Sequence, residues 1–193
     1  MISATTETPS AYGIEGTSPT TKVLTGSLFV APLIYLAAES TYAASGWDDA
    51  TAGAIHVIGA IAYGFVILAV AARLPSSSRL AAILLVLALI GMAGNVAYGF
   101  DSVHTSYGDM KLVDRSGAAN LIKPLGLAFP LSLALVAVAL RGLGHRWQAA
   151  TVLAAAVAWP VAHIGDIAEI AVPVSVALVA AFGSLGLAWT QRS

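Results

Sequence analysis

The feature that most constrains this chain is a series of six long apolar stretches separated by short polar segments. The stretches that we predict to span a membrane cover residues 23–43, 52–72, 80–100, 119–140, 147–168 and 170–189. Each is close to the ~20 residues that an α-helix needs to cross the hydrocarbon core of a bilayer. Backbone polar groups inside a bilayer must be satisfied within the protein, and stretches of this length satisfy them as helices. The sequence therefore predicts an all-α, polytopic membrane protein built as a six-transmembrane-helix bundle.

The composition agrees with a membrane environment. Hydrophobic residues make up 58% of the 193 residues and charged residues only 10%, whereas a soluble domain averages about 25% charged residues. We therefore expect the lipid bilayer to be the main partner, and we place this multi-pass chain in the cell (plasma) membrane. A formal net charge of −1 predicts no nucleic-acid partner, because such partners select a basic surface. The chain has no cysteine, which excludes disulfides and thiolate metal sites.

Residues 1–22 and 23–193 differ in composition. The first segment is rich in Thr, Ser, Gly and Pro and predicts a disordered tail; the second predicts a single transmembrane helical domain. The least certain boundary lies between the last two spans, where Asp166 and Glu169 interrupt an apolar run over residues 151–189. That run is too long for one span, so a tight turn is the simpler interpretation. Five helices with a long tilted last helix are the alternative.

The basic residues predict the orientation of the bundle. Six spans place both termini on one side, together with Lys22, Arg73, Arg79, Arg141, Arg146 and Arg192. By the positive-inside rule this side is cytoplasmic. Eight of the ten acids, all but Glu7 and Glu15, fall on the opposite side, which we call the outer side. The longest loop, 101–118, also lies there; we expect a solvated connector, with a lid over the bundle mouth as the alternative.

Each of the first five spans carries one polar residue at a similar depth below the outer surface. These residues are Glu39, His56, Asn95, Lys123 and His163. At 1.5 Å per helical residue they lie roughly 6–8 Å below that surface. Such groups are costly to bury without partners, so we expect them to face one another inside the bundle. An ionisable residue within a span is by default a functional-site hypothesis, and this layer is the predicted site.

The first interpretation of the layer is an intramembrane enzyme. Glu39 and Asp166 are predicted catalytic carboxyls, because partly apolar surroundings favour the protonated form that a general acid needs. His163, one turn before Asp166, is predicted to relay the proton or act as the base. The predicted ligand-binding residues are His56, Asn95, Tyr98, Lys123, Trp159 and Tyr42. Aromatic faces suit a cationic intermediate, so we expect isomerisation or cyclisation of a lipophilic, isoprenoid- or sterol-like small molecule, with neither a cofactor nor a metal.

Structural roles are plausible for single members of the layer. Glu39 is near enough to the outer surface to reach the lipid headgroups. Lys123 is expected to form a salt bridge with Glu39 or Asp166, because an unpaired ammonium at that depth is costly. Asn95 suits a hydrogen bond between helices. A structural subunit of a larger complex, or an oligomer, is compatible with these roles.

Two further functional interpretations stay open. Glu39, His163 and Asp166 suit the titrating relay of a proton-coupled transporter, or a site in a small-ligand receptor, although transporters bind substrate nearer the midplane. His56 and His163 lie at equal depth on different helices, as the two axial ligands of haem b must. Lys111, Arg115 or Lys123 would then meet the propionates. A metal ion on the two histidines and Asp166 is a weaker variant, since Lys123 would repel it.

Overall fold

The computed structural model describes residues 18–191, and within that range it contains six long α-helices, two short 3₁₀ helices and no strand. The helices are α1 Pro19–Ser45, α2 Ala50–Ala71, α3 Arg79–Thr105, α4 Ile122–Gly142, α5 Arg146–Ile164 and α6 Ala168–Thr190. All six are long and apolar enough to cross a membrane, which confirms the six-span prediction. Residues 1–17 of the predicted disordered tail lie outside the described range, as does Arg192.

The first helix begins earlier than the hydrophobic pattern predicts. The Ser18 side chain accepts a hydrogen bond from the backbone N–H of Thr21 at 3.2 Å, and Pro19 occupies the first helical turn. A serine cap followed by proline is a common helix start, because the cap satisfies a free donor and proline has none to satisfy. Residues 19–22 are therefore helical and do not belong to a disordered segment.

The tight turn predicted between the last two spans is present. The helix α5 ends at Ile164 and α6 begins at Ala168. Asp166 has a positive φ of 52°, and the Ile167 N–H donates to the Ala162 carbonyl at 2.8 Å. A left-handed residue followed by this long backward hydrogen bond is a usual way to end a helix. The five-helix alternative does not describe this chain.

The six helices form a closed ring. Each packs against its neighbours in sequence, and α6 packs against α1. The loops between α1 and α2, α3 and α4, and α5 and α6 therefore lie together at one end, which we call the outer end. Backbones approach most closely between α3 and α4, where a Cβ on Gly94 would overlap backbone atoms of Leu125 and Gly126. Small residues permit such close approach in membrane bundles.

The loop between α3 and α4 folds across the outer end. It contains the 3₁₀ helices Leu112–Asp114 and Gly117–Leu121. The Asp101 carboxylate accepts hydrogen bonds from the N–H groups of Leu112 at 2.6 Å and Val113 at 3.2 Å. These two hydrogen bonds fix the middle of the loop to the outer end of α3.

Lys111 ties the same loop to both other outer loops. Its Nζ lies 2.9 Å from Asp48 Oδ1 and 3.7 Å from Asp166 Oδ2. Partial burial lowers the pKa of Lys111, but the hydrogen bond to Asp48 and the charges of Asp166, Asp48 and Asp114 outweigh it and raise the pKa above its ordinary value. The ammonium is therefore charged at neutral pH and connects the three outer loops.

Candidate functional site

Four of the five residues in the predicted polar layer converge inside the bundle. Glu39 is 1% exposed, His56 and Asn95 are 0% exposed, and His163 is 6% exposed. They come from α1, α2, α3 and α5 respectively, each near the outer end of its helix. These side chains face one another and not the lipid, as expected from the cost of leaving buried polar groups without partners.

His56 is held by a network that includes Tyr35. The Tyr35 hydroxyl donates to Asn95 Oδ1 at 3.1 Å and lies 3.1 Å from His56 Nε2. Asn95 in turn donates from Nδ2 to the Gly91 carbonyl at 2.9 Å, which fixes its amide orientation. With the tyrosine proton placed on the Asn95 side, the Tyr35 oxygen can accept from His56 Nε2, and on this pattern we assign the ring proton of His56 to Nε2. The other nitrogen, Nδ1, then carries a lone pair.

His163 is oriented from its own helix and reaches Glu39. Its Nδ1 lies 3.0 Å from the Trp159 carbonyl oxygen, and its Nε2 lies 3.0 Å from Glu39 Oε1. A carbonyl oxygen only accepts, so Nδ1 carries a proton. The contact with Glu39 needs a second proton, either on Nε2 or on the carboxyl group. In both cases Glu39 and His163 share one proton and are neutral together.

Two buried acceptors in this cluster have no partner. His56 Nδ1 and Glu39 Oε2 make no hydrogen bond within the described residues, and His56 Nδ1 lies 3.9 Å from Glu39 Oε1. A carboxylate oxygen and an imidazole lone pair both attract a positive centre, so this spacing is suited to a cation or a donor between them. One oxygen of Glu39 and one ring nitrogen each of His56 and His163 lie within 4.8 Å of one another.

Aromatic rings enclose His163 on several sides. The Trp159 ring stacks on it with a centroid distance of 3.9 Å and an interplanar angle of 19°. Trp47 and Tyr98 approach it edge-on at 5.4 Å and 5.9 Å. The buried Trp159 Nε1 makes no hydrogen bond within residues 18–191. The histidine is therefore held in place by aromatic rings that cover most of its surface.

A pocket of about 390 Å³ opens beside the cluster at the outer end. Its walls include His163, the aromatic rings of Trp47, Tyr98 and Trp159, and the apolar side chains of Leu127 and Ile164. Its charged lining residues are Asp101, Lys111, Asp114, Lys123 and Asp166. This volume lies within the usual range for small-molecule sites. Of the Glu39, His56 and His163 cluster, only His163 lines the pocket.

Three of the predicted site residues take other positions than the sequence predicts. Lys123 is exposed and makes no ion pair with Glu39 or Asp166 among the described residues. It lies one residue after the start of α4, so its long side chain reaches water. Asp166 is exposed at the pocket rim, where its partner is Lys111. Tyr42 is buried and donates to Ser102 Oγ at 3.1 Å, outside the pocket lining.

Three residues that position the site were missing from the predicted set. Tyr35 lies four residues before Glu39 and therefore on the same helical face, a signal that the sequence did carry. Trp47, in the turn after α1, packs on both Tyr42 and His163. Lys111 had been considered only for haem propionates. Its pairing with two other loops depends on the folded path of the long loop, which no local pattern predicts.

Comparisons with known proteins give no functional guide: neither family models nor curated proteins nor solved structures match this chain. The function must therefore be argued from the cluster of Glu39, His56 and His163 and from the pocket beside it.

Proposed function

We propose that this chain is an intramembrane enzyme that uses Glu39 and His163 for acid–base chemistry on a lipophilic substrate held in the outer pocket. The observation that carries the proposal is that His163 contacts both the pocket and Glu39. Its ring lines the pocket, and its Nε2 is hydrogen-bonded at 3.0 Å to a carboxyl group that is almost fully buried. A histidine oriented from behind by a carboxyl group is a recurrent arrangement for proton transfer in enzymes.

The surroundings of the pair suit proton transfer. The Nδ1 proton of His163 is donated to the Trp159 carbonyl, so the proton shared with Glu39 lies between His163 Nε2 and Glu39 Oε1. Trp159, Trp47 and Tyr98 keep the ring in place and limit its contact with water. A general acid or base contributes most when it is positioned before the substrate arrives. Both nitrogens of His163 are hydrogen-bonded, so the pair exchanges a proton with a substrate in the pocket only when the substrate takes the place of one of these two partners.

The pocket favours a lipophilic, isoprenoid- or sterol-like substrate. Trp47, Tyr98 and Trp159 offer aromatic faces that stabilise a cationic intermediate. Leu127 and Ile164, which are 45% and 75% exposed, continue the apolar wall to the outside of the bundle, where lipid lies. An isomerisation that shifts a double bond fits this site, because it adds a proton to one carbon of the double bond and removes one from the carbon next to the other, and so needs no co-reactant.

The transport and haem alternatives have less support. Tyr63, Phe129 and Phe182 are buried in the core and pack edge-on against one another, with Tyr63 5.3 Å and 6.0 Å from the other two. That aromatic packing offers a carrier no evident path.

For haem, Glu39 Oε1 lies 3.0 Å from His163 Nε2 and 3.9 Å from His56 Nδ1. The carboxyl group thus lies where a macrocycle would have to enter, and an absorption spectrum tests this alternative directly.

Deuterium incorporation from solvent tests the proposed function. The purified chain in lipid nanodiscs is incubated in D₂O with a panel of isoprenoid alcohols and sterols, and the lipids are analysed by mass spectrometry. Acid–base isomerisation places a solvent deuteron on carbon, so at least one lipid should gain mass. Glu39→Gln should lower the rate by at least about 100-fold, whereas Asp166→Asn should lower it much less, because Asp166 is exposed at the rim.

The matched control is Glu169→Gln, which removes an exposed carboxyl group at the start of α6 and should leave the rate unchanged. Circular dichroism of each variant checks that the helices are intact. Equal incorporation in the parent and Glu39→Gln proteins, or none with any lipid of the panel, would refute the proposed chemistry.

A further inference from the structure

The cluster beside the pocket has three potential metal-ligating atoms. Glu39 offers a carboxylate oxygen and the two histidines each offer a ring nitrogen, and the three ligand atoms lie within 4.8 Å of one another; the histidine nitrogens nearest to Glu39 are His56 Nδ1 and His163 Nε2. They come from three different helices, α1, α2 and α5, and all three residues are buried. Two imidazoles and one carboxylate form a common protein ligand set for catalytic zinc and for non-haem iron.

The far side of each histidine is already occupied by a hydrogen-bond acceptor. The Trp159 carbonyl lies 3.0 Å from His163 Nδ1, and the Tyr35 hydroxyl lies 3.1 Å from His56 Nε2. Metal-binding histidines usually donate their second N–H to such a group, which fixes the ring and turns the lone pair toward the ion. Both rings here direct their remaining nitrogen to Glu39.

Two buried acceptor atoms of these residues lack a hydrogen-bond partner. His56 Nδ1 and Glu39 Oε2 are buried without a hydrogen bond in the described part of the chain. Within the same residues, the ion pairs of Glu39 involve only the two histidines, and neither Lys111 nor Lys123 reaches it. Buried acceptors without a donor are costly, and a single cation between them would satisfy all three residues.

We propose that Glu39, His56 and His163 bind one divalent transition-metal ion, such as Zn²⁺, at the inner edge of the outer pocket. Bonds of about 2.0–2.1 Å in a tetrahedral site separate ligand atoms by roughly 3.3 Å. The distances from Glu39 Oε1 are 3.0 Å to His163 Nε2 and 3.9 Å to His56 Nδ1, so small side-chain rotations are sufficient. Imidazole ligands favour such an ion over Mg²⁺ or Ca²⁺.

The set differs from the metal site considered from the sequence alone. That version used Asp166 and was weakened by the charge of Lys123. Glu39 replaces Asp166 as the carboxylate ligand, and Lys123 is exposed without an ion pair to the cluster. Three protein ligands leave a fourth position for water or substrate. An ion there can polarise a substrate oxygen, which is a different chemistry at the same pocket from proton transfer by Glu39 and His163.

This inference rests on the proposed function only in that both use the same pocket. The two proposals require different sets of residues. A bound ion takes the place of the proton shared by Glu39 and His163. Proton sharing needs those two residues and not His56, whereas the metal site needs all three. His56 is therefore the residue that separates the two proposals.

Cobalt binding tests the site without any need for a substrate. The full chain is purified in detergent, its metal content is measured by mass spectrometry, and bound metal is removed with a chelator. Co²⁺ is then titrated in, because a tetrahedral Co²⁺ site with nitrogen ligands absorbs visible light. We expect one Co²⁺ per chain, displaced by Zn²⁺, with affinity lowered by more than about 100-fold in Glu39→Gln and in His56→Gln.

Two further variants check that a loss of Co²⁺ binding is not caused by misfolding. His104→Ala removes a partly exposed histidine of the outer end, paired with Asp109 at 3.6 Å, and should leave Co²⁺ binding unchanged. Tyr35→Phe keeps all three ligands but removes the acceptor behind His56, and should weaken binding by about 10–100-fold.

The outcomes separate the two proposals. No Co²⁺ binding to the parent chain, or full binding in His56→Gln, would overturn the metal site and leave the acid–base enzyme standing. Stoichiometric binding that requires all three residues, together with no turnover of any lipid, would support the site and refute the enzyme.

Discussion

A comparison of two buried tyrosines measures how much the hydrogen-bond network of the site contributes to the free energy of unfolding. Tyr35 and Tyr63 are 1% and 0% exposed, and their rings meet edge-on with centroids 4.9 Å apart. Both also pack on Phe129. They differ in the hydroxyl group: that of Tyr35 contacts Asn95 and His56, while that of Tyr63 has no partner within the described residues.

The same substitution should therefore have opposite consequences at the two positions. Tyr35→Phe removes two contacts of 3.1 Å and leaves His56 with only the 3.4 Å approach to Asn95 Oδ1. A hydrogen bond between membrane helices contributes about 0.6 kcal/mol on average and about 1.7 kcal/mol at most. Two such contacts predict a loss of about 1–2 kcal/mol in the free energy of unfolding, which corresponds to roughly a 5–30-fold fall in the ratio of folded to unfolded protein.

Tyr63→Phe removes a buried hydroxyl that has no partner to lose. It should leave the free energy of unfolding unchanged or raise it slightly, because an unsatisfied polar group is no longer buried. Equilibrium unfolding in mixed detergent micelles with increasing dodecyl sulfate, followed by circular dichroism, measures both variants. Equal effects within about 0.5 kcal/mol, or a larger loss for Tyr63→Phe, would refute the hydrogen-bond network described here.

Two further predictions concern the frame around the site. Gly94→Ala should destabilise the bundle by about 1–3 kcal/mol, because the new Cβ would overlap the α4 backbone. The control Gly183→Ala has open space around it and should be neutral in the same unfolding assay. Equal losses in the two variants would contradict the close contact of α3 and α4. Lys111→Gln should increase proteolytic cleavage in the loop at 106–121 relative to the exposed control Arg115→Gln, since it removes the pairs with Asp48 and Asp166. Because the folded-state pKa of Lys111 is raised, its contribution is complete below the ordinary lysine pKa of about 10.4 and is lost as pH rises through the raised value. The ratio of the two cleavage rates should therefore stay constant from about pH 6 to 9, and a fall in that range would contradict it.

The sequence was sufficient to predict the six spans, since hydrophobic length is a direct requirement of the bilayer. It also predicted which polar residues meet, because Glu39, His56, Asn95 and His163 lie deep enough that facing lipid would be costly. The same reasoning was wrong for Lys123. A long side chain near a helix end can reach water, so its depth in the sequence did not require burial.

The detailed geometry of the site depends on information that no local pattern holds. The rotation of each helix about its own axis decides that Glu39 faces His163 and not Lys123, and that rotation depends on the packing of the whole bundle. Tyr35 was overlooked because a tyrosine within a span is usually interpreted as packing. The contact of Lys111 with Asp48 joins residues 63 positions apart, and only the folded loop brings them together.

A double-mutant cycle between Glu39 and His163 tests the central structural claim most directly. The two residues are 124 positions apart, and their side chains meet at 3.0 Å. The free energies of unfolding of Glu39→Ala, His163→Ala and the double variant give the coupling energy. The control is a second cycle in which Gln148→Ala replaces His163→Ala. Gln148 is also on α5 but lies about 22 Å from His163 along the helix.

We expect a coupling of about 1–3 kcal/mol between Glu39 and His163, with the double variant losing less than the sum of the single losses, and additivity within about 0.5 kcal/mol for Gln148. Additivity for Glu39 and His163 as well would mean that the two side chains do not meet. It would remove the basis of both the proposed enzyme and the proposed metal site.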